Sequence, residues 1–394
     1  MIESSVSLLY LEDLAGALMN LEGVVGRKWL EGEWRAYVER GLSLAVEDDP
    51  SMPLACHPIA WLWYTAWDQF NYFRDHEAVV GGELLQAAFL GTALAQAHTF
   101  APDGLDYPEL VRRLKEAPEA LQTAYELEVA SAFRERGYAV RFPLDRDGVA
   151  SLTVLREARE RLLCCRRRDR TSPRDRQCQA AWSSLRDALT RWMTRTRRSV
   201  SLTVEAKRDP VVAEIQPLVT FLVERLAELA GGEAWDPSGV YHLRWRGRAE
   251  PEGTEFIPPA DPEGPQAGSL DEGVADFIDV PVILRRPDGT TEAVRFVGRA
   301  AEEPDRVQGI GKRVEEAGER MPPGARGIVS LEVPSRTFES DIARAAGRIQ
   351  EYLDRSESVS TVLVTTRRGQ GTEEGTFRLS RVVRAFTGPG AKSG

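Results

Sequence analysis

Residues 126–142 read ELEVASAFRERGYAVRF, residues 151–167 read SLTVLREARERLLCCRR, and residues 198–207 read RSVSLTVEAK. In chain order these stretches predict a helix, three short strands and, after a long basic helix, a further strand. Pro118 suits the first turn of the opening helix, with Glu119 beside it at the positive end of the helix dipole. Gly137 is placed to end that helix as a C-cap. Tyr138 to Phe142 then reads as a strand, and the Asp147-Gly148 pair within 145–148 is a hairpin turn signal. Residues 151–155 and 161–165 give two more strands. Pro173 opens a helix over 174–195, where Ala181, Trp182, Leu185, Leu189 and Trp192 recur at helical spacing. Val200, Leu202 and Val204 alternate with Ser201, Thr203 and Glu205, which is the period of a strand. The expected fold class is α/β, with an αβββαβ core over residues 116–232.

Outward from this core, residues 1–115 are expected to form a helical domain. Leu8, Leu11, Leu14, Leu18 and Leu21 fall three or four residues apart. The aromatic run Trp61, Trp63, Tyr64, Trp67, Phe70, Tyr72 and Phe73 fits a helix between helices, and a base-stacking platform is the alternative use of such residues. Residues 233–275, dense in Pro, Gly and acidic side chains, are expected to be a linker. Residues 276–385 read as a further α/β region that starts with a hairpin around Arg286-Pro287-Asp288-Gly289. Residues 386–394 are expected to be a disordered tail.

The 394 residues suffice for two or three domains. Charged residues make up 28% and hydrophobic residues 42%, as expected of a soluble globular chain. No apolar run has the length of a membrane span, and no basic N-terminal region precedes a signal-like stretch. The four cysteines, Cys56, Cys164, Cys165 and Cys178, form no paired spacing. The expectation is a cytoplasmic protein without disulfides or membrane contact. Net charge is −10, yet residues 151–210 hold 16 Lys and Arg against 7 Asp and Glu, a local +9 that leaves −19 for the remainder. Such a basic island suits either a phosphate-facing surface or a solvated arginine-rich helix.

Metal-dependent phosphodiester cleavage needs carboxylates to hold Mg²⁺ and a cation near the developing charge. Glu205 and Lys207 lie two apart on a strand, which puts both on one face. Asp145 and Asp147 in the preceding hairpin are candidates for the second carboxylate, and Glu126 for a further metal ligand. The expected catalytic set is therefore Glu205, Lys207 and Asp147, with Glu126, Asp145, Asp147 and Glu205 as metal ligands. An exposed polar strand face is the plainer reading of Glu205 and Lys207. Arg166, Arg167, Arg168, Arg170, Arg174 and Arg176 cluster where a strand meets a helix, and bidentate guanidinium–phosphate contacts make them candidates for binding nucleic acid, DNA in the first instance.

The helix YELEVA at 125–130 followed by GYAV at 137–140 resembles the opening of PD-(D/E)XK nuclease-like (restriction-endonuclease-like) proteins. The resemblance covers about residues 119–230. It implies a helix glutamate near the metal, an Asp at the start of the second strand, and a Glu/Asp-x-Lys on the third. The chain departs from that pattern. Ser151 stands at the expected Asp, and Cys164 and Arg166 stand at the expected Glu and Lys. Arginine stays protonated and transfers protons poorly, and a thiol is a poor ligand for Mg²⁺. Three functions follow as expectations: a Mg²⁺-dependent nuclease that relies on Glu205 and Lys207, an inactive relative that binds nucleic acid or a protein partner, and an assembly protein. A homo-oligomer is compatible with each.

Overall fold

The structure is a computed structural model. It describes all residues except 1, 10, 42–55, 76–81, 144–150, 158, 168–171, 229–230, 258–274, 334–337, 372–376 and 390–394. The fold is mixed α/β, with two mixed sheets in two compact units. The first unit comprises residues 1–170, 310–334 and 346–394, and the second 171–309 and 335–345.

The first unit begins with strand β1 (Ile2–Leu9), where the sequence predicts helix. Helices α1 (Leu11–Leu21), α2 (Arg27–Gly41), α3 (Pro58–Asp75), α4 (Gly82–Ala97), α5 (Tyr107–Leu114) and α6 (Ala117–Glu135) follow. The aromatic run lies mainly in the core. Trp63 and Phe70 are buried, and Trp63 and Trp67 both donate their indole N–H to Glu22 Oε1, at 2.9 and 2.8 Å. Tyr64 is exposed and stacks on Trp34 at 3.6 Å. Helices α1 and α4 meet backbone to backbone, because a Cβ at Gly91 would collide with the Ala17 carbonyl oxygen. Helix α6 is buried nearly all round, which explains why its apolar residues show no single stripe.

His57, 8% exposed, precedes α3 and accepts the Ile59 amide on Nδ1 at 3.2 Å. Burial holds its pKa down to about 4. The unfolded chain has a histidine pKa of about 6.5, so the unfolded state gains this proton first as pH falls. The stability that depends on neutral His57 is complete above about pH 6.5 and is lost as pH falls toward 4. The expected result is that the advantage of wild type over His57→Asn in urea midpoint shrinks across that window. A pH-independent difference would remove His57 from the acid response.

Strands β2 (Ala139–Arg141), β3 (Leu152–Arg156) and β4 (Arg159–Arg167) form an antiparallel meander after α6. The chain then enters the second unit with α7 (Pro173–Thr196), β5 (Arg198–Ala206), α8 (Val212–Glu228), β6 (Gly231–Trp235), β7 (Tyr241–Ala249), β8 (Glu255–Ile257), β9 (Phe277–Arg285) and β10 (Thr291–Arg299). Helix α9 (Asp305–Gly318), β11 (Gly327–Glu332), α10 (Phe338–Arg355), β12 (Val359–Gly371) and β13 (Phe377–Thr387) complete the chain.

The first sheet runs β1-β13-β12-β11-β4-β3-β2, with β4, β11 and β12 parallel. The second runs β6-β7-β5-β10-β9-β8, with β5 and β10 parallel. The sequence points to α7 and β5 as the end of an αβββαβ core, but β5 joins the second sheet, and the strand that pairs in parallel with β4 is β11. A parallel partner requires a crossover, and the nearest helix–strand pair in sequence belongs to the second sheet. Strand β11 is buried at every position, as expected of a central strand covered on both faces. Three other expectations are corrected. The 233–275 segment carries β7 and β8 and not only linker, and β6 starts at Gly231. Residues 276–385 divide between the two sheets. The segment 386–394 starts inside β13, and residues 390–394 lie outside the described residues.

Helices α7 and α8 cover one face of the second sheet. Val200, Leu202 and Val204 of β5, Leu243 and Trp245 of β7 and Phe296 of β10 pack against Trp182, Leu185, Leu222 and neighbours. Ser172 caps α7 by accepting the Asp175 amide at 3.0 Å, with Pro173 in the first turn.

Candidate functional site

Next to the start of β3, Ser151 N–H donates to Leu163 O of β4 at 3.0 Å. Side chains also bind the backbone of β4 here. Ser151 Oγ accepts the Cys165 amide at 3.2 Å and donates to Glu126 Oε1 at 3.1 Å. The Gln122 amide donates to Cys165 O at 2.9 Å and accepts from Arg167 N–H at 3.0 Å. It also donates to Glu126 Oε1, at 3.0 Å, and Arg113 Nη2 donates to Oε2 at 3.1 Å. The Glu126 carboxylate therefore sits beside the start of β3, held by a hydroxyl, an amide and a guanidinium. Asp145 and Asp147, expected to join it, lie outside the described residues, as do Arg168 and Arg170.

Cys164 and Arg166 point to the opposite face of β4 from Cys165 and Arg167, because the period of a strand is two. Cys164 is 1% exposed, and burial pushes its thiol up while Arg166 pulls the other way. A protonated buried thiol is neither a nucleophile nor a ligand for a hard cation.

Arg167, expected on a nucleic-acid surface, is buried instead. Its Nη1 lies 3.1 Å from Glu332 Oε2, and the Gln86 side-chain oxygen, once the amide is turned to satisfy both its ends, accepts from both Nη atoms. Arg367 Nη2 stands 3.0 Å from Glu128 Oε2 and 3.0 Å from Glu332 Oε1. Tyr125 Oη bonds to Ser330 Oγ at 2.8 Å and Thr365 Oγ1 at 3.1 Å. Helix α6 thus lies over β4, β11 and β12 through a buried polar layer of two arginines and two glutamates. Its sequence signal was a lone charge in each of two apolar runs, Glu128 in LEVA and Glu332 in IVSLEV.

Glu205 and Lys207 lie on the second sheet, on the face away from Val204 and Ala206. Glu205 accepts from Arg244 Nη2 and from Arg299 Nη1, the latter at 3.1 Å. Partial burial opposes its charge, but Arg244 and Arg299 outweigh burial and hold the carboxyl below the usual range. Lys207 Nζ sits 4.1 Å from the ring centre of Trp235. The neighbours of this pair are arginines, an indole and an imidazole. Among the described residues, no three His, Cys, Asp or Glu side chains come together as a cation site.

Arg174 is likewise taken up. It chelates Asp209 at 2.6 and 2.8 Å and reaches Asp305 and the Glu303 carbonyl. Next to it, buried Asp175 accepts the amides of Asp305 and Arg306 at the start of α9. Arg176 is half-buried on the first turns of α7. Of the six arginines expected to face phosphate, Arg167 and Arg174 hold the protein together. Among the described residues, no helix is long and apolar enough to cross a membrane. No family model, curated protein or solved structure matches this chain.

Proposed function

We propose that this protein is a nuclease-like protein that binds nucleic acid without hydrolysing it. The observation that carries this reading is the surroundings of Glu126 beside the start of β3. There Glu126 is surrounded by Ser151, Gln122 and Arg113, and the adjoining strand presents Cys164 and Arg166 in place of a carboxylate and a lysine. The helix, the antiparallel meander and the parallel β11 support the resemblance to the PD-(D/E)XK frame, with residues 171–309 inserted between its third and fourth strands. The basic island supports nucleic acid as the partner. The environment of Glu205 supports a structural role for it, since two arginines neutralise it on an open sheet face.

The test uses the full chain with labelled single- and double-stranded DNA and RNA, in Mg²⁺, in Mn²⁺ and in EDTA. The expected outcome is no metal-dependent cutting, together with a mobility shift that weakens as salt rises. Metal-dependent cutting that Glu126→Ala abolishes would establish the alternative, a working nuclease centred on Glu126.

A further inference from the structure

Among the described residues, helices cover one face of the second sheet. Its other face presents Trp235 of β6, His242, Arg244 and Arg246 of β7, Glu205 of β5 with Lys207 just after it, and Arg295 and Arg299 of β10. The strand registers put these side chains on one side, since Trp235 pairs with His242, His242 with Glu205, and Glu205 with Arg299. Trp235 is 46% exposed, which is rare for an indole on a folded chain. It stacks on His242 with ring centres 4.7 Å apart, and Lys207 lies over its ring. These two contacts hold the indole in place and leave nearly half of the residue open.

The charges on this face are unequal. The two carboxylates next to Trp235 and His242 are both engaged: Glu205 by Arg244 and Arg299, Glu233 by His242 Nε2 at 3.0 Å. Arg246 is exposed, pairs across the strands with Gly231 and Ser201, and makes no ion pair among the described residues. Small neighbours on both sides leave its guanidinium open space. Lys207 is exposed next to Trp235. A half-exposed indole with Lys207 at its ring, and Arg246 without an ion pair four residues further along the same strand pair, is the chemistry that takes a base on the indole and the adjoining phosphates on the basic groups.

We infer that the open face of the second sheet is a platform for a single-stranded polynucleotide, with Trp235 as the base-stacking residue and Arg246 and Lys207 as phosphate contacts. A duplex keeps its base faces stacked inside and offers the indole nothing, so the platform discriminates against duplex. The inference rests on the nucleic-acid reading above and assigns its surface.

The experiment measures binding of the full chain to a 20-mer single strand of DNA, its RNA equivalent, the matching DNA duplex and heparin. It compares wild type with Trp235→Ala and Arg246→Ala, whose folding is checked by circular dichroism. Wild type is expected to prefer both single strands to duplex and heparin. Trp235→Ala should weaken single-strand binding about tenfold, the loss of one stacked base. Arg246→Ala should lower the slope of log K against log salt by about 0.7, because one phosphate of the single strand is no longer neutralised. Single-strand binding that both folded variants retain would overturn the platform and leave the proposed function standing. Duplex or heparin bound as tightly as single strand, with no effect of Trp235→Ala, would overturn it too. Failure of wild type to bind any nucleic acid at low salt would overturn both.

Discussion

Glu332→Ala is expected to destabilise the first unit by about 3–5 kcal/mol, the usual consequence of removing one partner from a buried ion pair. The cause is what remains. Arg167 and Arg367 are each held by Glu332, and both are almost wholly buried. Without Glu332, one carboxylate, Glu128, faces two guanidinium groups in a region that water does not reach. A buried charge left without its partner costs far more than the pair contributed, because desolvation of the arginine is no longer offset. The melting temperature should fall on the order of 10 °C. Glu332→Gln keeps the shape and some hydrogen bonding, so it should cost less than alanine. Replacing the two arginines and two glutamates together with apolar residues of similar size should cost less than Glu332→Ala alone, since no charge is then stranded. Urea unfolding of the four proteins checks the ranking. An unchanged midpoint for Glu332→Ala would mean that water enters this layer and that the ions are solvated.

The α/β class, the meander of β2, β3 and β4 and the long helix α7 were legible because their signals are local. Gly137 ends α6, Pro173 and Ser172 start α7, and alternation marks β5. Pairing was not legible. Nothing in residues 198–206 states that this strand joins β7 and β10, and nothing in 327–332 states that it joins β4, because a buried apolar strand carries no address for its partner. The placement of Cys164 and Arg166 on β4 was legible from the local strand pattern, whereas the fate of Glu205 and Lys207 depended on which sheet β5 entered. The arginine cluster misled for a different reason. Arg166 and Arg167 look alike in sequence, but one step along a strand turns Arg167 into the core, where Glu332 waits 165 residues further on. The open face with Trp235 was hidden because its members come from four strands, and each contributes only one to three residues that are unremarkable in sequence.

Trp182→Ala is expected to destabilise the second unit by about 3–5 kcal/mol. The side chain is 1% exposed and lies flat against the backbone of β10, where a Cβ at Gly298 would come within 2.8 Å of its ring. Its ring centre is 6.2 Å from that of Phe296, which in turn is 5.6 Å from Phe277. Truncation opens a cavity between α7 and the centre of the sheet, and the rigid strands cannot close it. The same backbone contact explains why position 298 is glycine. Because the two cores share no buried residue, the two substitutions should act in different places. Amide exchange should quicken in β5, β9 and β10 of Trp182→Ala while β4, β11 and β12 keep their protection. Glu332→Ala should show the reverse. Exchange that rises uniformly in both sheets for either protein would mean that the units open as one cooperative body, and the division into two cores would then carry no energetic meaning. Protection kept in β5 and β10 of Trp182→Ala would mean that the cavity is refilled by repacking of α7.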